Sequence, residues 1–390
     1  MKIIDKFLLL LLAILARPAY LLLRFMMITT LFSPLLVLLA WLLPPAYRAI
    51  FLSSAITLLF VLNLFGVALP PSRPTYWGNP QYGGWKGLGN FLIDRLINWI
   101  GTLKYASFRS GPISMAYCVQ EDPGGYKIDA RAIRSLLDGG QDGLPLQPGD
   151  ILLRGFDHFI DGAFINMAGN SGNDAQYYSH AALYVGELTE ADRKLAASEL
   201  KVASGNAGWT EASEAEKEAV RHDPAYFQTG RQMVIHSMSR GVFVEDILTF
   251  TRCDYLCVIR LQGPLQKESG SLAKSLPGMA ALSEPESAIN QQLQQHLAVN
   301  VADVVSAARH AALSRIGSAY DFQFDDGKTF HRFSCSEFVY FCYKSVHGLI
   351  GLQLQRHALF KVLFARNSIT PPDIYKTAKA GKFMRIVWRC

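Results

Sequence analysis

Two uncharged stretches near the start of the chain restrict it more than any other feature. Phe25–Leu43 and Ala49–Leu69 are each close to the roughly 20 apolar residues a helix needs to cross a bilayer, and only Pro44-Pro45-Ala46-Tyr47-Arg48 separates them. Backbone inside lipid must satisfy its own hydrogen bonds, so such a pair reads as a helical hairpin. Phe7–Ala16 has the length of a signal-peptide core, but no small-x-small cleavage pattern follows, and it reads as an uncleaved interfacial helix. Lys2, Lys6, Arg17 and Arg24 precede the hairpin, and only Arg48 lies in its loop. By the positive-inside rule both ends then face the cytoplasm. Residues 1–70 are therefore expected to be a membrane anchor with two transmembrane helices, and the lipid bilayer is an expected partner. Residues 71–143 are expected to be an interfacial linker, with Phe91–Phe108 spaced as an amphipathic helix.

The remainder, 144–390, reads as one globular domain. Its strand signals are Leu146–Leu153, Ser179–Gly186, Gln232–Ser237 and Asp254–Leu261, with a closing strand at Phe383–Trp388. A small helix is expected near Glu245–Leu248, a long one over Val301–Ile316, and another from Thr370. Two segments interrupt the pattern: 187–230 reads as a helical insertion and 262–300 as a loosely ordered one. The six cysteines are scattered over the chain, which does not suit a disulfide framework. The net charge of +6 is spread out with no basic stripe or motif, so nucleic acid is not an expected partner.

The chemistry converges on Phe333-Ser334-Cys335-Ser336-Glu337-Phe338. Ser334 is a good N-cap and the apolar residues after it are spaced for a helix, which places Cys335 in a first turn. There the unpaired N–H groups and the positive dipole end favour a thiolate. A thiol nucleophile needs an imidazole base, and the imidazole needs a polar group to hold its tautomer. Of the nine histidines, only His180 and His236 lie in convincing strands. If those strands are adjacent and antiparallel, His180 can serve as base and His236 as its orienting partner. Two histidines and a cysteine could also ligate zinc, but no tight H-x-x-x-H pair is present. Neither a metal nor another cofactor is expected.

In chain order, LQPGDILL, YSHAALYVG, MVIHSMSRGV, IGSAYDFQF and FSCSEFVYFCY resemble the circularly permuted papain-like cysteine hydrolases of the NlpC type. The likeness is greatest to the YiiX/YebB-like group and more distant to the lecithin:retinol acyltransferase-like proteins. It covers residues 144–375. The resemblance implies an α+β fold in which a small antiparallel sheet packs on the cysteine helix. It places the nucleophile at Cys335, the base at His180 and the third polar group at His236. Tyr320 matches a tyrosine lining the cleft, and Tyr178 and Ser334 flank the site as candidate substrate contacts. The peptidoglycan-cleaving relatives carry Asp before the cysteine and Gly two after it, where this chain has Ser334 and Glu337. That departure argues against a cell-wall peptide as substrate.

The expected protein is thus a multi-pass protein of a bacterial inner membrane with a permuted papain-like domain that faces the cytoplasm, or outward if Phe7–Leu23 also spans. It would act as a cysteine hydrolase or acyltransferase on an amide or ester of a lipid or lipid-linked substrate. The alternatives are a peptide amidase or endopeptidase, and a non-catalytic membrane-anchored binding module.

Overall fold

The computed structural model describes residues 22, 25, 29, 33–68, 127–139, 145–156, 165, 177–203, 209–238, 240–266, 282–321, 330–359 and 364–390. They fall in two compact units: Met1–Trp99 with Ala203–Gly208, and Ile100–Val202 with Trp209–Cys390. The expected amphipathic helix at Phe91–Phe108 lies outside the described residues.

In the first unit a helical run over 33–41 is followed by helix α1, Pro45–Ala68. Pro45 suits a first helical turn, where its missing N–H costs nothing. The guanidinium of Arg48 turns back to donate to the carbonyls of Leu43 at 3.0 Å and Trp41 at 3.2 Å, tying off the preceding run. Phe25 meets Phe60 edge to face, with ring centroids 5.3 Å apart. Among the described residues no helix is long and apolar enough to cross a membrane. This corrects the expected transmembrane hairpin and, with it, the multi-pass placement in a bacterial inner membrane. The helical run over 33–41 ends at Trp41, before Leu43, and is well short of the roughly 20 residues a span needs, while α1 takes in Tyr47 and Arg48 before the second apolar run begins.

The second unit is built on a six-stranded sheet. In chain order its elements are α2 (Ala130–Asp138), β1 (Ile151–Gly155), β2 (His180–Leu188), α3 (Glu190–Arg193), β3 (Lys201–Ala203), β4 (Trp209–Glu211), α4 (Glu214–His222), β5 (Gly230–Met238), β6 (Gly241–Asp246), α5 (Ile247–Phe250) and β7 (Tyr255–Leu261). They continue with α6 (Glu284–Gln294), α7 (Val301–Ser314), β8 (Ala319–Tyr320), β9 (Arg332–Phe333), α8 (Cys335–Cys342), α9 (His347–Ile350), β10 (Gln355–Leu359), β11 (Phe364–Ser368), α10 (Pro371–Ala380) and β12 (Met384–Arg389). The sheet runs β12-β7-β1-β2-β5-β6, and every neighbouring pair is antiparallel.

Side chains alternate between the two faces of each strand, and here both faces are covered. Leu152, Ala182, Tyr184, Val234 and Val258 pack under α2 and α5. Leu153, Ala181, Leu183, Ile235 and Ile259 pack under α7, α8 and α10. The sheet is therefore larger than the resemblance implied, and the cysteine helix covers only one of its faces. The globular unit also begins before residue 144. Asp129 caps α2, and Ile128, Ile133 and Leu136 are buried against the sheet.

The described parts of both insertions differ from the expectation: the first is not purely helical, and the second holds a regular helix. The 187–230 segment holds the paired strands β3 and β4 between α3 and α4. Within 262–300, α6 starts with a Ser283/Glu286 capping box, and Glu286 forms a buried ion pair with Lys344 just past α8.

At the sheet edge, Gly241 opens β6 with φ +101, and a Cβ there would lie 2.2 Å from the Ser318 carbonyl oxygen. That closeness is what lets the Val242 N–H donate to Ser318 O and the Gly317 N–H to Val242 O. Gly241→Ala is expected to lower stability by about 1–3 kcal/mol, read as a fall in the urea midpoint. An unchanged midpoint would mean that this edge is not held as described.

Candidate functional site

Cys335 is the first residue of α8, and the turn that presents it is fully committed. The Ser334 N–H donates to Glu337 Oε2 at 3.1 Å, and the Glu337 N–H donates to Ser334 Oγ, a reciprocal capping box. Ser368 Oγ donates to the other Glu337 oxygen at 3.1 Å, and Ser336 Oγ donates to Ile369 O at 2.6 Å. Ser334 is fully buried, so the residue expected as a substrate contact is occupied in holding the helix start. Tyr178 is likewise buried, its ring against Tyr375 with centroids 5.1 Å apart. Tyr320 is half-buried and pairs in register with Phe333, two residues before the cysteine.

Cys335 is 2 % exposed. Burial pushes its thiol up to about 11, against the lowering effect of the Ala181 N–H and of Ser336, which face the sulfur. Burial raises Cys253 and Cys257 further, to about 12, and Cys342 further still. Cys335 is thus the least raised of these four buried thiols, as first-turn amides around a sulfur require.

β2 and β5 lie side by side and antiparallel, with Ala182 opposite His236. His180 is therefore a diagonal neighbour of His236 on the same face. Their rings meet edge to face, with His180 Nε2 2.7 Å from His236 Nδ1. Phe243 and Phe250 wall the pair, at centroid distances of 4.3 and 5.4 Å from His236.

Two further residues complete the cluster, and the sequence reading missed both. Glu245 lies on β6, two residues past the Phe243 that pairs with His236, and its Oε2 is 3.4 Å from His236 Nε2. The expected small helix at Glu245–Leu248 would have turned this carboxylate away. Instead Asp246 is the N-cap, accepting from the Leu248 N–H at 2.8 Å, so the helix starts at Ile247 and Glu245 stays in the strand. The alternation Phe243, Glu245 was the available signal. Arg154, on β1 opposite His180, places Nη1 3.6 Å from the same Glu245 oxygen, donates from Nη1 to Phe250 O, and lies 4.2 Å from the Phe250 ring centre.

The electrostatics follow from burial. Desolvation holds His180 well below its ordinary value, helped by the charge of Arg154. Desolvation also lowers His236, although Glu245 pulls the other way. Burial alone would raise Glu245, but His236, Arg154 and Arg240 together hold its carboxyl down to about 2. The resting cluster is therefore two neutral imidazoles ending on a carboxylate.

Cys335 and the imidazoles approach one end of β2 from different sides. α8 packs against β2 and β5 on the face of Ala181, whereas the imidazoles belong to the alternate set of side chains. The sulfur meets β2 at the Ala181 N–H, one residue beyond the base. Among the described residues no hydrogen bond joins the thiol to either ring. No group of three His, Cys, Asp or Glu side chains among the described residues is placed to hold a metal ion. No protein-family model, curated protein or solved structure matches the chain.

A histidine kept neutral by the fold costs stability when it must be protonated. The unfolded histidines bind protons below about pH 6.5 while the folded ones do not, so the folded state loses ground as pH falls through that value. Unfolding free energy is expected to drop from about pH 7 to about pH 5, by up to about 1.4 kcal/mol per pH unit for each histidine. His180→Gln should flatten the urea-midpoint profile over that window. A wild-type profile already flat there would show that the rings are not buried neutral.

Proposed function

We propose that the chain is a cysteine hydrolase or acyltransferase acting on an amide or ester carbonyl. The observation that carries this reading is the hydrogen-bonded His180–His236 pair, seated at the end of β2 where the Cys335 sulfur meets the Ala181 N–H. Cys335 is the nucleophile. Its proton must cross the end of β2 to reach His180 Nδ1 as sulfur bonds to the carbonyl carbon, and the oxyanion is received by the first-turn N–H of Cys335. Collapse expels an amine or alcohol, which takes the proton from His180. Water, or a second acyl acceptor, then repeats the sequence in reverse. With the thiol raised and the imidazole lowered, the resting dyad is neutral rather than a thiolate–imidazolium pair. Proton transfer therefore accompanies attack instead of preceding it.

The capping role of Ser334 and Glu337 bears on the substrate. The resemblance assigns the position before the cysteine to an Asp that holds a free amine in the peptidoglycan-cleaving relatives. Here that position is buried and spent on the helix start, which favours an acyl substrate without a free amine beside the scissile bond. One observation favours a second reading, a non-catalytic module on the same fold: the burial that raises Cys335.

Labelling with a thiol-directed acyl probe separates the two, using protein in which the exposed Cys390 is replaced by Ser. Preferential labelling is expected at Cys335, lost in Cys335→Ala and slowed about 100-fold or more in His180→Ala, the usual contribution of a general base. Labelling indifferent to His180, or absent from Cys335, would sink the hydrolase reading and leave the binding module.

A further inference from the structure

The two-histidine pair has a direction, and the direction is set at its far end. One proton lies between His180 Nε2 and His236 Nδ1, which are 2.7 Å apart, and two neutral rings can share it in only two ways. In the first, His180 donates from Nε2, His236 carries its own proton on Nε2, and His180 Nδ1 keeps a lone pair. In the second, His236 donates from Nδ1, its Nε2 is a bare lone pair, and His180 Nδ1 is already protonated. Only the first leaves His180 able to accept a proton at Nδ1.

What His236 Nε2 faces decides between them. It faces Glu245 Oε2 at 3.4 Å, and neither of these two buried atoms makes a hydrogen bond of good geometry, to the other or to any other described residue. An ionised carboxylate can only accept. A lone pair on His236 Nε2 would set two buried acceptors against each other, which a desolvated site penalises heavily. The guanidinium of Arg154, 3.6 Å from the same carboxylate oxygen and anchored on Phe250 O, keeps Glu245 ionised and turned toward the ring.

We infer that Glu245 is a positioning residue that fixes the tautomer of His236 and, through it, of His180, so that His180 Nδ1 is unprotonated in the resting protein. Its catalytic use rests on the hydrolase reading, but the proton placement is a property of the resting molecule and is measured without substrate.

The experiment is a long-range 1H–15N correlation spectrum of the histidine-labelled full chain near neutral pH. The two rings are assigned by the signals lost in His180→Gln and His236→Gln. Both are expected in the Nε2–H form. Glu245→Leu, which removes the acceptor, is expected to lose the Nε2–H form at His236. Glu245→Gln, whose Oε1 can still accept, is expected to keep it. A wild-type Nδ1–H signal on either ring overturns the inference, and so do unchanged tautomers in Glu245→Leu. If the leucine variant does not fold, the wild-type and Glu245→Gln spectra still decide, because both must show the Nε2–H form. Correct tautomers without labelling of Cys335 would sustain the role of Glu245 and remove the hydrolase. Cys335 labelling with the opposite tautomers would do the reverse.

Discussion

The register between β2 and β5 is the constraint on which the site depends. Ala182 stands opposite His236, and that single correspondence brings the ring of His180 within hydrogen-bond reach of its partner. A slip of one residue in either strand would send its whole set of side chains through the sheet. It would drive an imidazole into the apolar layer of Leu153, Leu183 and Ile235. The hydrophobic pattern that specifies the core thus specifies the polar pair as well. Tyr184 and Val234 continue the same face and are buried under α2 and α5, so the histidines are held by packing on either side of them.

Burial has opposite consequences for the two halves of the site. On the imidazole face it strengthens every polar contact, because Phe243 and Phe250 exclude water from the His236–Glu245 contact and a low dielectric raises the worth of each hydrogen bond. On the cysteine face it works against ionisation, and only the amides of the first turn and the Ala181 N–H offset part of that. The site is consequently poised neutral. The helix start is held by Ser334, Ser336, Glu337 and Ser368 acting together, which fixes where the sulfur sits.

Much of the second unit was legible in the sequence because its elements keep a clean period. The strands at His180 and His236 alternate, the helix at Val301 repeats its apolar residues every three or four positions, and Thr370 followed by two prolines announces α10. The unread parts turn on features that period does not encode. Whether Glu245 belongs to a strand or a helix is settled by the side chain of Asp246, one hydrogen bond at a boundary. Which face of the sheet receives α8 depends on the path of the chain between β7 and β9. Near the N-terminus, hydropathy marks apolar runs but not where a helix begins. Pro45 and the back-turned Arg48 settle that locally. Tyr178, expected as a substrate contact, has its ring against Tyr375 in the core.

The connection from β2 to β5 is long, and β3, β4 and α4 fold within it as a small annex with its own ion pairs, among them Lys217 with Glu211 and Glu214. The two histidine strands find each other through their own backbone pairing rather than through a tight turn. The distance between the rings is therefore fixed by the sheet itself and not by the length of the segment that joins its two strands.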